Sequence, residues 1–209
     1  MTVAPMDAAA ARPHPTRVLV MSGSVRTGSF NTRLAQAAAH SVRDAGAEAT
    51  VVDLRALDLP LYDGDVEAAH GVPAGARALR DLFAAHPALL LASPEYNAFV
   101  PPLVINTLAW VSRVPAEGAA PSGREAMAGT VAGVMSASPG ALGGLRALVH
   151  LRTALAVSAS MLVVPETVSV GGAAQAFDGE GRLLDERLQA QLQALVRAVL
   201  HAARPCLPG

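Results

Sequence analysis

The chain contains no lysine, because all sixteen of its cationic side chains are arginine. A Schiff-base lysine and the lysine of a Walker-type phosphate loop are therefore both excluded. Its single cysteine, Cys206, cannot form a disulfide within the chain, and no cluster of cysteine and histidine has the spacing of metal ligands. We expect neither an internal disulfide nor a metal site.

Long apolar runs and an excess of one charge are also missing. No apolar stretch approaches the ~18–20 residues of a transmembrane helix, and residues 1–16 lack the apolar run of a signal peptide. The net charge of −1 provides no general attraction to nucleic acid or to anionic membranes. We predict a cytoplasmic protein that binds neither nucleic acid nor membrane.

Apolar residues are plentiful, making up 52% of the 209 residues, which is enough for the core of one domain. We assign residues 17–203 to this domain, residues 1–16 to a disordered N-terminal extension and residues 204–209 to a C-terminal tail. Five short runs rich in valine, leucine and alanine are typical of parallel strands covered on both faces. These runs are residues 17–22, 49–53, 88–93, 130–136 and 161–164.

Helical patterns separate and follow these strands. They cover residues 31–45, 73–86, 101–113, 145–157 and 185–203. The alternation predicts an α/β fold, a doubly wound five-stranded parallel sheet with helices on both faces. Because a phosphate-type turn follows the first strand, we expect the flavodoxin-like strand order 2-1-3-4-5. Ligands of such sheets bind beyond the carboxyl ends of the strands, so the loops after strands one, three and four should converge.

The first of these loops, residues 23–31 (GSVRTGSFN), has the composition of an anion-binding turn. Ser24, Ser29 and Asn31 offer neutral hydrogen bonds, and Arg26 adds one positive charge. The helix that follows leaves its first backbone N–H groups unpaired. The loop therefore suits a terminal phosphate. The alternative is an ordinary strand-to-helix turn in which Ser29 or Asn31 caps the helix.

The loop after strand three, residues 93–102 (the third loop), and the loop after strand four, residues 136–144 (the fourth loop), are bent by proline and glycine. Tyr96 and Phe99 stand out in a chain that is 3% aromatic. They form either a wall of the ligand pocket or a contact with the core or with a neighbouring subunit. Glu95 is a candidate general acid or base, although no histidine, cysteine or second carboxylate lies beside it in the sequence.

The three motifs GSVRTGSFN, SPEYN and SASPGALGGLRALVHLRTAL, taken together over residues 17–164, resemble the NADPH-dependent FMN reductase family. That family includes quinone, chromate and azo-dye reductases. The resemblance implies a phosphate site made by Ser24, Arg26, Ser29, Phe30 and Asn31. It implies that the flavin ring is lined by Pro94, Glu95, Tyr96 and Asn97. It implies that the other edge of the ring is closed by Ser136, Ser138, Pro139, Gly140 and Gly143.

The resemblance also implies an activity. FMN would receive a hydride at flavin N5 from NADPH or NADH. It would then pass the hydride to a small-molecule acceptor such as a quinone, chromate, an azo dye or flavin. No catalytic side chain is expected, because the flavin carries the chemistry. It implies a homodimer or homotetramer with residues 96–110 as the candidate contact. Residues 104–110 (VINTLAW) lack the lysine and aspartate common in this family, which bears on assembly or substrate choice. The alternatives are a flavodoxin-type electron carrier and a non-redox phospho-ligand-binding protein.

Overall fold

A computed structural model describes residues 15–204 and contains a five-stranded parallel sheet of order β2-β1-β3-β4-β5. The predicted strand order is therefore confirmed. The strands are β1 (Arg17–Ser22), β2 (Glu48–Val52), β3 (Ala88–Ala92), β4 (Val131–Ala137) and β5 (Leu162–Val170). Residues 1–14 of the predicted extension, and residues 205–209 of the predicted tail with Cys206, lie outside the described residues.

Seven α-helices accompany the strands within the described part of the chain. They are α1 (Phe30–Asp44), α2 (Gly64–His70), α3 (Ala74–Ala85), α4 (Pro102–Arg113), α5 (Gly123–Met127), α6 (Leu145–Thr153) and α7 (Glu186–Ala202). The five predicted helices are present, but α6 ends four residues early and continues as a π-helical turn, Ala154–Ser158. Helices α2 and α5 were not predicted, because one or two turns are too short to show an apolar period. No helix among these residues is long and apolar enough to cross a membrane.

The last strand is longer than predicted, since the apolar run ends at Val164 whereas β5 continues to Val170. Pro165 lies inside it, at a break in register where Val163 pairs with Ala132 but Thr167 pairs with Val134. Proline cannot donate to a ladder and is accommodated on edge strands and at bulges. Strand β5 meets both conditions, which is why the proline does not end it.

Two apolar layers cover the sheet, one on each face. Because successive strand residues point to opposite faces, Leu90 of β3 packs with α1 and α7, while Leu89 and Leu91 pack with α3, α4 and α6. All three leucines are buried to at least 99%. The arrangement leaves the carboxyl ends of the strands uncovered by helices, and there the loops meet.

The long segment between β2 and α3 is fastened to α4 by polar contacts. Trp110, fully buried, donates from Nε1 to the Pro60 carbonyl at 2.7 Å. One turn earlier, the Asn106 amide donates to the same carbonyl at 2.8 Å and accepts from the Tyr62 N–H at 2.7 Å. These bonds hold α4 in place directly after the third loop.

Candidate functional site

A cleft of about 440 Å³ opens at the carboxyl edge of the sheet, where the loops after β1, β3 and β4 converge as predicted. Its lining consists of Ser24, Arg26, Ser29, Phe30, Asn31, Pro94, Glu95, Tyr96, Ala137, Ser138 and Pro139. Ala137 is the one lining residue that the sequence did not indicate, because an alanine carries no chemical signal. The predicted residues Asn97, Ser136, Gly140 and Gly143 do not line the cleft.

The hydroxyl groups of the first loop organise its backbone. Ser29 is the N-cap of α1, and its Oγ accepts from the backbone N–H groups of Asn31 at 3.2 Å and Thr32 at 3.4 Å. Ser24 Oγ accepts from the Arg26 N–H at 3.4 Å. The capping interpretation of Ser29 is thus confirmed. Because each oxygen accepts, each hydroxyl keeps its own hydrogen to donate to an anion in the cleft.

Arg26 is exposed at the rim of the cleft and bonds only to neutral groups. Its guanidinium donates to the carbonyls of Thr27 at 3.4 Å and Gly28 at 3.3 Å, and lies 5.5 Å from the centre of the Phe30 ring. Within residues 15–204 no carboxylate forms an ion pair with it. Its charge is therefore available to an anionic ligand, and weak carbonyl contacts oppose its movement only slightly.

Asn31 has a structural task that the sequence did not reveal. Its Nδ2 donates to the Ala137 carbonyl at 2.9 Å, and its Oδ1 accepts from the Ala137 N–H at 3.0 Å. Both residues are 3% exposed. The amide therefore joins the first turn of α1 to the end of β4, which fixes two of the three loops relative to each other. Ala137 is 106 positions away from Asn31 in the chain. Sequence spacing cannot predict a contact between residues so far apart.

Glu95 fixes the third loop to the N-terminus of α6. Its side chain, 10% exposed, is ion-paired with Arg146, whose Nε lies 2.8 Å from Oε1, and it accepts from the Ala147 N–H at 3.3 Å. The hydrogen bonds from Arg146, with a smaller contribution from Ala147, hold the pKa of Glu95 below its ordinary value, although burial alone would raise it. Glu95 is thus an ionised clamp, poorly suited to act as a general acid.

The third loop contains a tight hairpin turn. Tyr96 and Phe99 exchange backbone hydrogen bonds of 3.1 and 2.9 Å, with Asn97 and Ala98 between them at φ values of 51° and 63°. Two positive φ angles define a type I′ turn, which favours asparagine first and glycine second, so Ala98 is strained. Tyr96 contributes to the cleft wall, whereas Phe99 packs on the ring of His150 with centroids 4.5 Å apart. The two aromatic side chains are each about half exposed.

The fourth loop needs glycine because it passes very close to two strands. At Gly144, with φ of 86°, a Cβ would lie 2.0 Å from Ser136 Oγ. At Gly143, with φ of 59°, it would lie 2.7 Å from the Val170 carbonyl carbon. Ser136 is completely buried beneath this loop, and its hydroxyl has no hydrogen-bond partner among the described residues. Gly143 and Gly144 thus shape the loop that presents Ser138 and Pro139 to the cleft.

Comparisons with known proteins find relatives that match most of the chain. A family model described as NADPH-dependent FMN reductase matches residues 16–175. An NAD(P)H-dependent FMN reductase of Pseudomonas aeruginosa is 37% identical over 184 residues, covering 86% of this chain and 92% of that protein. A quinone reductase of Escherichia coli K12 is 32% identical over 159 residues, covering 76% of this chain and 79% of that protein.

The solved structures give the same result. The flavoenzyme NAD(P)H:(acceptor) oxidoreductase FerB from Paracoccus denitrificans superposes with a TM-score of 0.71 at 27% identity, covering 88% of this chain and 97% of that one. An NADH:FMN oxidoreductase superposes with a TM-score of 0.59 at 18% identity, covering 87% of this chain and 89% of that one, a likeness of fold.

Proposed function

The chain belongs to the NADPH-dependent FMN reductase family, and we propose that its three-loop cleft holds FMN with the phosphate on the first loop. The observation that carries the proposal is the meeting of Ser24, Arg26 and Ser29 with Pro94 and Pro139 around one cleft. The cleft volume of about 440 Å³ lies within the range of roughly 300–1,000 Å³ that is usual for cofactor sites.

The groups of the first loop suit a phosphate. The hydroxyls of Ser24 and Ser29, the guanidinium of Arg26 and the N-terminus of α1 lie at the same end of the cleft, and no carboxylate within residues 15–204 pairs with that guanidinium. Neutral donors together with a single cation and a helix N-terminus are the usual ligands of a phosphate monoester. The other end is bounded by rigid proline loops and one aromatic ring, which suits a flat ring system.

The protein residues orient the reactants and need not exchange protons with them. When bound, FMN supplies the hydride-transfer chemistry between NAD(P)H and the acceptor. Asn31 and Glu95 act as positioning residues, since their side chains bond to Ala137 and to the start of α6. Tyr96 forms the outer wall, against which the nicotinamide and then the acceptor would pack.

A quinone is the acceptor that this proposal favours. The Escherichia coli relative is named a quinone reductase, and the Paracoccus denitrificans structure is described as an NAD(P)H:(acceptor) oxidoreductase. At the ring end the cleft has Tyr96 as an open aromatic wall, and the charged side chain that lines it among the described residues, Glu95, is already paired with Arg146. Chromate, azo dyes and free flavin remain predictions from the sequence, as does a location in the cytoplasm.

We further propose that the protein forms a homodimer or homotetramer through residues 96–110. Phe99 and Ile105 within this segment are 51% and 41% exposed, and a contact with a second copy of the chain would bury their apolar surface. Ile105 occupies one of the positions where the family pattern commonly has a charged residue, so an apolar contact would replace an ionic one here. Sedimentation of the wild-type protein and of Ile105→Lys tests this proposal.

The proposed activity is tested by reacting the FMN-loaded protein with NADPH or NADH in the absence of oxygen. We expect the flavin absorbance to bleach with a nicotinamide and to return when a quinone is added. A protein that stays colourless after incubation with FMN would instead be a non-redox binder. A protein that holds FMN but is not bleached by either nicotinamide would be an electron carrier.

A further inference from the structure

A second cleft of about 400 Å³ lies on the opposite side of the first loop, between that loop, α1 and the carboxyl end of β2. We call it the β2 cleft. Its lining includes Asp53, Leu54 and Arg55, which directly follow β2. It shares Ser24 and Arg26 with the three-loop cleft, so the two clefts are separated only by the first loop. The sequence motifs did not indicate it.

Two guanidinium groups line the β2 cleft, and one of them, that of Arg26, also lines the three-loop cleft, where it is proposed to hold the FMN phosphate. Arg55 donates to the Val25 carbonyl, and Arg26 donates to the carbonyls of Thr27 and Gly28. In the structure of residues 15–204 no carboxylate forms an ion pair with either arginine. Asp53 also lines this cleft, and its Oδ1 accepts from the Arg55 N–H at 2.9 Å, which turns the chain after β2. Because the proposed FMN phosphate takes up the charge of Arg26, Arg55 is the guanidinium in this lining that remains for a second anion.

The remaining walls combine an apolar surface with hydroxyl groups that are already bonded. Thr32 Oγ1 donates to Ser22 Oγ at 3.2 Å, so these hydroxyls brace the first loop. Val25, Ala35 and Val51 supply the apolar part, and Val51 is 48% exposed although it belongs to a strand. An exposed apolar wall beside the Arg55 guanidinium suits a ligand with a flat ring and a phosphate.

The location relates this cleft to the proposed reaction. Strands β3 and β2 lie on either side of β1, so their ends are two inter-strand spacings apart, about 10 Å. A dinucleotide whose nicotinamide packs near the third loop can therefore extend across the first loop to the end of β2. In other α/β nucleotide-binding sheets, an arginine near the end of the second strand accommodates the 2′-phosphate that distinguishes NADPH from NADH.

We propose that the β2 cleft binds the adenosine 2′-phosphate end of NADPH, with Arg55 as the residue that selects NADPH over NADH. This inference rests on the proposed function. A guanidinium forms paired hydrogen bonds to a phosphate monoester, which NADH lacks at this position. The carbonyl bond of Arg55 is a weaker interaction than the phosphate bonds that would replace it.

Arg55→Gln is the informative variant, and Arg43→Gln is its matched control. Arg43 is also exposed and also donates to a backbone carbonyl, that of Ala49 at 3.2 Å, but near the amino end of β2. With a quinone as acceptor, kcat/KM is measured for NADPH and NADH. We expect Arg55→Gln to lower the NADPH-to-NADH ratio of kcat/KM by at least about tenfold, and Arg43→Gln to leave the ratio unchanged.

A binding measurement separates this inference from the activity. Adenosine 2′,5′-bisphosphate and adenosine 5′-diphosphate are titrated calorimetrically into the FMN-loaded protein. We expect tighter binding of the 2′-phosphorylated ligand, and loss of that preference in Arg55→Gln. Equal binding of the two ligands, or an equal loss for NADPH and NADH in the variant, would overturn the assignment and leave Arg55 as a brace of the first loop. If neither nicotinamide is oxidised, the proposed function is wrong. The titration still shows whether the β2 cleft binds a 2′-phosphate.

Discussion

Replacing Asn31 with alanine would break both hydrogen bonds between the start of α1 and the end of β4. The Asn31 amide spans the Ala137 backbone with bonds of 2.9 and 3.0 Å, and both residues are 3% exposed. The substitution leaves one N–H and one carbonyl unpaired in the interior, and each such group costs about 1–3 kcal/mol. We expect a loss of about 2–4 kcal/mol in the free energy of unfolding. For a domain of this size the melting temperature would fall by roughly 5–15 °C.

Urea unfolding and thermal melting of the FMN-free protein measure this loss, and Asn106→Ala is the control. Asn106, itself half-buried, makes the same pair of amide bonds, to the Tyr62 N–H and the Pro60 carbonyl, but these bonds lie at the exposed surface. Water can replace those bonds, so we expect Asn106→Ala to cost less than about 1.5 kcal/mol. The reasoning is refuted if Asn31→Ala is no more destabilising than Asn106→Ala. It is also refuted if Asn31→Ala weakens FMN binding without changing stability, because the amide would then be a direct phosphate ligand.

Three further predictions follow from the same geometry. Arg26→Ala should weaken FMN binding by about 1.5–3 kcal/mol, the range for a hydrogen bond to a charged group, and unchanged affinity in a flavin fluorescence titration would remove Arg26 from the site. Gly144→Ala would place a Cβ 2.0 Å from a serine hydroxyl of β4 and should destabilise the protein far more than Gly28→Ala, which has the same sign of φ but nothing within 4 Å; equal melting temperatures would contradict this. Because the pKa of Glu95 is lowered in the folded state, its ion pair stabilises the protein fully above the unfolded pKa of about 4.3. The stability advantage of the wild type over Glu95→Gln should therefore be constant at neutral pH and disappear as the pH falls through the lowered pKa, and an advantage that persists in acid would exclude the ion pair as its cause.

The sequence predicted long elements well and short ones poorly. Strand β3 and helix α7 have continuous apolar patterns, and the structure confirms both to within about one residue. The seven-residue α2 has no buried side chain, so it leaves no apolar pattern to detect. Strand β5 was predicted too short. Pro165 indicates the end of a strand in the sequence, but the strand continues because it lies at the edge of the sheet and has a bulge there.

The site was predicted at the level of loops but not at the level of individual side chains. Residues 23–31 and 93–97 could be recognised because a parallel sheet places its carboxyl ends at one edge. The sequence could not show that Asn31 is bonded to Ala137, or that Glu95 is bonded to Arg146. Both pairs join different loops, and polar residues look the same in a sequence whether they face a ligand or a backbone.

The sequence by itself determined the alternation of strands and helices, the order of the strands and the three loops that form the cleft. These features depend on local apolar periodicity and on the positions of glycine and proline, which are readable along the chain. Only the tertiary structure decided which polar groups remain free for a ligand: Ser24, Arg26 and Ser29 keep donors at the cleft, while Asn31 and Glu95 are occupied. It also decided that Arg55 and Arg26 line the same β2 cleft. The physical reason is that a buried hydrogen bond between distant residues depends on how the chain packs in three dimensions. The local sequence does not show that packing.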